Sequence, residues 1–348
     1  MIVGEAPGEE ELQRGVPFVG QSGQALTQML TEAGIIREQC YLTNVFMSCP
    51  PGNNIYAWCL KKKEADDAWT ALGNPGKYPF TPLKAGAYVD PVYLNELLRL
   101  YGEINSFNPT VIVALGNTAL WALSGAGGIT KSRGTVVLVD TNGPRKYKVI
   151  PTYHPAYILR KWEDRPIVIA DLMKAKRESL SPDYTRPTRT LWLEPSLDDI
   201  EKFAGNILCD AEYFSVDIET ARGQITCIGF GTPTHAICIP FWDNRKLDLN
   251  YWSTAQDEIQ AWHKVKAILQ LPQIKLFQNG MYDIIWLWKK MGITVRGPIH
   301  DTMLLAHSMF PEMQKSLGFL GSVYTNEASW KHMRPRKRTQ QKKGDIEE

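Results

Sequence analysis

Short apolar runs alternate with stretches of helical period through the first half of the chain. "MIVGE", "CYLTNVFM", "PTVIVALG" and "YKVIPTYHP" each hold a compact run of Ile, Val, Leu or aromatic residues, the pattern of strands buried on both faces. Between them, "SGQALTQMLTEAG" and "DPVYLNELLRLYGEINSF" repeat their apolar residues three and four apart, which predicts helices. Strands interleaved with helices predict an α/β domain on a mostly parallel sheet, with ligands at the strand C-terminal ends. The polar stretch "KKKEADDAWTALGNPGKYPFTPLKAGAY" reads as a surface insertion, and residues 178–191, rich in Pro, Thr and Arg, read as a linker.

The pattern changes near Trp192. "YFSVDIET", "QITCIGFGT" and "HAICIPFW" are β-rich runs joined by short turns, which predicts an antiparallel meander. Helical stretches follow in "TAQDEIQAWHKVKAILQ", "MYDIIWLWKKMG" and "HDTMLLAHSMF". The end is polar, with six Lys/Arg between Arg334 and Lys343. The expected organisation is a first domain over 1–177, a linker over 178–191, a second domain over 192–333 and a basic flexible tail over 334–348.

Composition narrows this only slightly. At 348 residues the chain has room for two domains with proper cores. A net charge of +2 argues for no partner by itself. No apolar run approaches the roughly 20 residues of a membrane span, and no signal-peptide pattern opens the chain. The six cysteines include no C-x-x-C pair and read as reduced thiols. A cytoplasmic location is expected, that of the host if the chain is phage-encoded, with no membrane partner.

The loop "GEAPGEEE" carries the first candidate chemistry. A glycine-containing loop after a strand suggests a phosphate cradle, but Glu5, Glu9, Glu10 and Glu11 would repel a phosphate and no Lys follows. The loop reads either as an acidic helix start or as the holder of a working carboxylate. Phe18, Asn44 and His154 also fall at predicted strand ends. Singly they read as a core aromatic, a turn residue and a helix cap. Together they fit the recognition of a planar base: a ring to stack it, an amide to read its edge and a donor to steady it as it leaves. A carboxylate opposite would orient water or support a cationic sugar.

The motifs "GEAPGEEE…GVPFVGQSGQAL", "YLTNV…PPGN", "NPTVIVALG", "GITKSRG" and "PTYHPAYILR" resemble, in order, those of family-four uracil-DNA glycosylases over residues 1–177. The resemblance implies a three-layer α/β fold acting on DNA, with Glu5 and His154 catalytic. It places Phe18, Asn44, Ala6 and Glu11 against the base, Glu11 near the face that separates uracil from thymine. Ile158 or Leu159 would be the wedge filling the gap of a flipped nucleotide, with Arg160 beside them. Lys131 and Arg133 would contact phosphates. Such proteins commonly hold an iron–sulfur cluster on four cysteines. None is expected here: Ser48 stands where a ligand would fall, and no cysteine lies between Cys59 and Cys209.

In "SVDIET", Asp217 and Glu219 lie two apart on a predicted strand and so face one side. Asn279 and Asp283 in "QNGMYDIIWL" lie one turn apart at a helix start. Hard oxygen ligands in this pattern suit Mg²⁺ or Mn²⁺. The region resembles the 3′–5′ proofreading exonuclease of family-A DNA polymerases, on an RNase H-like fold. The resemblance implies metal binding by Asp217, Glu219 and Asp283 and DNA contact by Asn279. The third motif of such exonucleases, a Tyr with an Asp four residues later, would come after the basic segment and is not among these 348 residues. Asp301 reads as a helix-start residue or as one close to the metals.

The joint expectation is a phage-type fusion of a uracil-DNA glycosylase with an exonuclease-type domain whose metal site is incomplete. It would act on single-stranded or primer–template DNA, beside a polymerase domain or subunit. The alternative is a non-catalytic DNA-binding module, or the N-terminal part of a split or truncated phage polymerase.

Overall fold

The structure, a computed structural model, describes residues 1–184 and 188–327. Its chain divides into two compact units: Met1–Tyr184 together with the residues from Gly318 on, and Thr185–Leu317. The second unit ends earlier than the sequence pattern suggests. Residues 318–327 pack with the first unit instead.

The first unit is built on a five-stranded sheet. Its strands are β1 (Ile2–Gly4), β2 (Leu42–Asn44), β3 (Ile112–Leu115), β4 (Val137–Val139) and β5 (Tyr147–Thr152). The spatial order is β2-β1-β3-β5-β4, parallel throughout except for the edge strand β4. β1, β3 and β5 are buried at every position, as expected for a parallel sheet covered on both faces. The covering helices include α1 (Glu9–Arg14), α2 (Gln21–Glu32), α3 (Asn95–Phe107) and α4 (Gly116–Ser124). They continue as α5 (Ile129–Ser132), α6 (Pro155–Ile158) and α7 (Arg165–Glu178).

Lys148 lies inside β5 with its side chain 1% exposed. Its ammonium donates to the carbonyls of Glu178, Ser181 and Asp183 and pairs with the Glu178 carboxylate at 2.8 Å. A buried charge is tolerable only when satisfied in this way. Here it ties the end of α7 to the sheet. The stretch expected to be a surface insertion also contributes to the core, through Ala65, Tyr78 and Leu83. Its helix Lys62–Ala71 and the ribbon pairing Cys59–Leu60 with Tyr88–Val89 pack there.

The second unit holds a six-stranded mixed sheet. Its strands are β6 (Thr190–Trp192), β7 (Tyr213–Ala221), β8 (Gln224–Gly231), β9 (His235–Pro240), β10 (Ile274–Phe277) and β11 (Ile299–Asp301). In the order β11-β10-β7-β8-β9-β6, β7, β8 and β9 form the expected antiparallel meander. β10 then runs parallel to β7, and β11 parallel to β10. This is an RNase H-like arrangement. Val216, Ile218, Ile228, Phe230, Ile237 and Ile239 alternate onto the core face. Helices α8 (Ala255–Leu269), α9 (Met281–Met291) and α10 (Thr302–Met309) complete the unit. Trp262 of α8 stacks on Phe241 with ring centroids 3.8 Å apart and an 8° tilt. A last helix, α11 (Leu317–Tyr324), crosses into the first unit. The basic segment 334–348 lies outside the described residues.

Candidate active site

A cavity of about 1010 Å³ opens at the C-terminal edge of the first sheet. Each parallel strand delivers a residue to it. Glu5 follows β1, Asn44 ends β2, Thr118 begins α4 just after β3, and His154 follows β5; all of them line the cavity, as does Phe18.

Asn44 and the Phe18 ring converge over Gly4. A Cβ on Gly4 would overlap Asn44 Oδ1 and Phe18 Cζ, so the strand must carry glycine there. Asn44 is 4% exposed. Its backbone is held by Arg99, whose Nη2 donates to the carbonyls of Asn44 and Val45 at 2.7 and 2.9 Å. Phe18 stands at φ 57°, a left-handed conformation that is strained for a bulky residue and marks functional loops. Arg37 Nη2 braces it by donating to the Phe18 and Pro17 carbonyls at 2.8 and 3.1 Å. Gly23 leaves room for the same Phe18 carbonyl, which any Cβ would overlap.

Glu11 lines the cavity and clamps its two loops together. Oε1 accepts from the Val19 and Gly20 N–H groups at 3.0 and 2.8 Å, and Oε2 from Gly8 N–H at 3.1 Å. Burial works to raise its pKa, but these donors outweigh it and hold the carboxyl below its ordinary value.

His154 caps α6 and faces the cavity at once. Its Nδ1 accepts from Ala156 N–H at 3.2 Å. The neutral ring therefore carries its proton on Nε2, a donor toward the cavity. Burial, and then the charge of Arg160, depress its pKa to about 4. Gly116, at φ 85°, lets the turn pass close: a Cβ there would stand 3.0 Å from the His154 Cβ. Glu5 is shifted upward by burial, against a hydrogen bond from Thr118. The Tyr56 phenol, also on the cavity wall, is raised by burial and then by the Glu5 charge.

Of the other expected contacts, Ala6, Arg160 and Glu11 line the cavity. Leu159 is 46% exposed, whereas Ile158 is fully buried, so only Leu159 can project as a wedge. Lys131 is exposed on α5. Arg133 is not available to phosphate. Its side chain is buried and paired with Asp171, stacks near the Phe319 ring at 5.1 Å and donates to Ser322 Oγ at 3.1 Å. A basic residue in a loop looks like a phosphate contact until its partner, 38 positions away on α7, is seen. Gly4, Gly23, Arg37 and Thr118 were missed by sequence reasoning, because each acts through a neighbour and no motif chemistry marks it.

In the second unit Asp217 and Glu219 share the exposed side of β7, alternating with buried Val216 and Ile218. The β7–β10 pairing ends at Ser215–Leu276. Beyond it, the Ile218 N–H donates to Asp283 Oδ1 at 3.0 Å, across the split between strands. Asp283 is 5% exposed. Burial raises its pKa to about 6; the Ile218 N–H opposes this and the Asp217 charge adds to it. Asp301 caps α10 through Met303 N–H at 2.8 Å and accepts from the Asn279 and Gly280 N–H groups at 3.1 and 2.7 Å. It therefore holds the turn carrying exposed Asn279, itself at φ 61°. Among the described residues, no three His, Cys, Asp or Glu side chains gather closely enough to hold a metal ion. The Ile218 N–H engages one Asp283 oxygen, while Asp217 and Glu219 stand on the exposed side of β7. No helix among the described residues is long and apolar enough to cross a membrane.

Known proteins resemble both halves to different degrees. A type-4 uracil-DNA glycosylase of Thermotoga maritima is 38% identical over 180 residues, 51% of this chain and 75% of that protein. One from Archaeoglobus fulgidus is 32% identical over 180 residues, 50% of this chain and 73% of its own. A DNA polymerase of Bacillus phage SP01 is 22% identical over 339 residues, which is 88% of this chain and 32% of the polymerase. Among solved structures, Escherichia coli RNase D, an exoribonuclease, matches 42% of this chain and 36% of its own at 17% identity, with a TM-score of 0.32. Residues 1–177 match the signature of the Uracil DNA glycosylase superfamily. The chain belongs to that superfamily.

Proposed function

We propose that the first unit excises uracil from DNA by hydrolysing the N-glycosidic bond. The observation that carries this is the convergence of Glu5, Phe18, Asn44 and His154 on one cavity at the strand ends. A flipped uracil would stack on Phe18 and present its edge to the Asn44 amide. As the C–N bond lengthens, negative charge grows on the base and positive charge on the sugar. The Nε2–H of neutral His154 donates to the ring oxygen that gains charge, and the Glu5 carboxylate steadies the sugar or orients the attacking water. Leu159 and Arg160 would fill and flank the vacated stack, and Lys131 would take a phosphate.

The test is incubation of the full chain, without metal, with a single-stranded oligonucleotide containing one uracil. Alkali cleavage at that position is expected, and an intact strand would refute the reading.

For the second unit we propose an exonuclease-type role on DNA 3′ ends, using Mg²⁺ or Mn²⁺ and weak in this chain. The Asp283 oxygen engaged by the Ile218 N–H, and the burial that disfavours the ionised Asp283 a metal would need, support the weakness. A labelled 3′ end should survive Mg²⁺ largely intact; rapid Asp217-dependent degradation would refute it. The long overlap with the phage polymerase supports a place in phage DNA replication or repair, with a polymerase as partner.

A further inference from the structure

The turn between β3 and α4, "ALGNTAL", carries a buried hydroxyl whose partner lies across the sheet. Thr118 is 2% exposed. A buried hydroxyl needs a hydrogen-bond partner, and in a helix it usually returns to its own backbone. Here Thr118 Oγ1 donates instead to Glu5 Oε2, 113 positions away in sequence. The adjacency follows from topology: β1 and β3 are parallel neighbours, with Val3 opposite Ala114. The residues just beyond their C-terminal ends therefore meet. The turn is also held from the other side. Asn117 Nδ2 donates to the Leu83 carbonyl at 2.7 Å, and Asn117 Oδ1 accepts from Gly128 N–H at 2.8 Å. The hydroxyl is thus fixed before any ligand arrives.

We propose that Thr118 is a positioning residue for Glu5, fixing one carboxylate oxygen so that the other is presented to the cavity. This rests on the proposed excision reaction for its purpose, though not for its test. The hydrogen bond favours the ionised carboxylate and opposes the effect of burial. Thr118→Val keeps the shape and removes the donor, whereas Thr118→Ser keeps the donor.

The test is a carbon-13 NMR titration of the full chain labelled at glutamate side chains, with Glu5→Gln assigning the signal. In Thr118→Val the Glu5 midpoint should move up by about one pH unit, the scale of a hydrogen bond to a charged group. It should return toward the parent value in Thr118→Ser. Thr118→Ala serves if the valine variant fails to fold. The acid limb of uracil excision should move with the midpoint. An unmoved midpoint in both donor-less variants overturns the proposal. A moved midpoint in a chain that never excises uracil would sustain Thr118's role and defeat the functional reading.

Discussion

Arg133 and Asp171 form an ion pair inside the first unit with 3% and 1% of their side chains exposed. Arg133 Nε donates to Asp171 Oδ2 at 3.0 Å, and Thr152 Oγ1 donates to the same oxygen at 2.7 Å. Removing one partner of such a pair strands a buried charge at a cost of about 3–5 kcal/mol, whereas replacing both by apolar residues is often neutral. Arg133→Met should therefore destabilise the first unit by about that amount in urea unfolding. Adding Asp171→Leu should recover most of it. Weakened DNA binding with unchanged stability would show a phosphate contact instead. Lys131→Ala is the change expected to weaken DNA binding without destabilising, and to flatten its salt dependence by about one charge.

Asn44→Ala and His154→Ala should each slow uracil excision by well over tenfold, as each removes a contact worth at least roughly 1.4 kcal/mol in the transition state. Asn44 is also packed against Gly4, so single-turnover rates must be read with unfolding curves for each variant. Loss of rate at full stability is the expected result.

The pH dependence should be one-sided. Glu5 must be ionised, and burial holds its pKa above the ordinary value, so the rate should rise with pH through that pKa. His154 titrates near 4 and works neutral, so no limb is expected near 6.5. A limb at 6.5 that disappears in His154→Gln would contradict the neutral imidazole. The same depression affects stability. Unfolded His takes up its proton first, so this contribution is complete above about pH 6.5 and lost as pH falls toward 4.

Asp283 has the opposite sign. Its pKa is raised to about 6 from an ordinary value near 3.8, so its burial costs nothing below about pH 4 and destabilises the second unit as pH rises through 6. Asp283→Asn keeps an acceptor for Ile218 N–H and removes the charge. It should be more stable than the parent at pH 8, by about 1–2 kcal/mol after allowing for solvent screening. The two should converge at pH 4. Thermal unfolding at both pH values decides it.

Much of the first sheet could be read in advance because its strands are continuous apolar runs interleaved with helical patterns, as expected of a parallel sheet covered on both faces. Glu5, Asn44 and His154 stand at or just beyond the ends of such runs and Phe18 in the loop between them; singly each has an ordinary structural use, and only their combination pointed to one site. The β4 edge strand lies in an apolar run of the same kind, "TVVLV", but it pairs antiparallel at the sheet edge and leaves Leu138 exposed. Arg133 misled because a lone cation in a loop gives no hint of a carboxylate on a later helix. The helix "LGFLGSVY" misled more deeply. Its apolar residues suit either core; the contacts of Phe319 and Ser322 with Arg133, and of the Ser322 and Thr325 carbonyls with Lys174, reveal which it joins.

The chain leaves the first unit at Tyr184 and returns at Gly318, so the second unit is topologically an insert rather than an appendix. Lys174, 1% exposed, shares its ammonium among the carbonyls of Gly134, Ser322 and Thr325. A recombination event with one crossover in the linker would bring in a first unit without those last two acceptors, leaving the Lys174 ammonium with the Gly134 carbonyl alone of the three. Modular exchange that keeps this unit intact needs two crossovers, one on each side of the insert. The two halves are therefore expected to be inherited together, and paired breakpoints should mark any genome in which they have been separated.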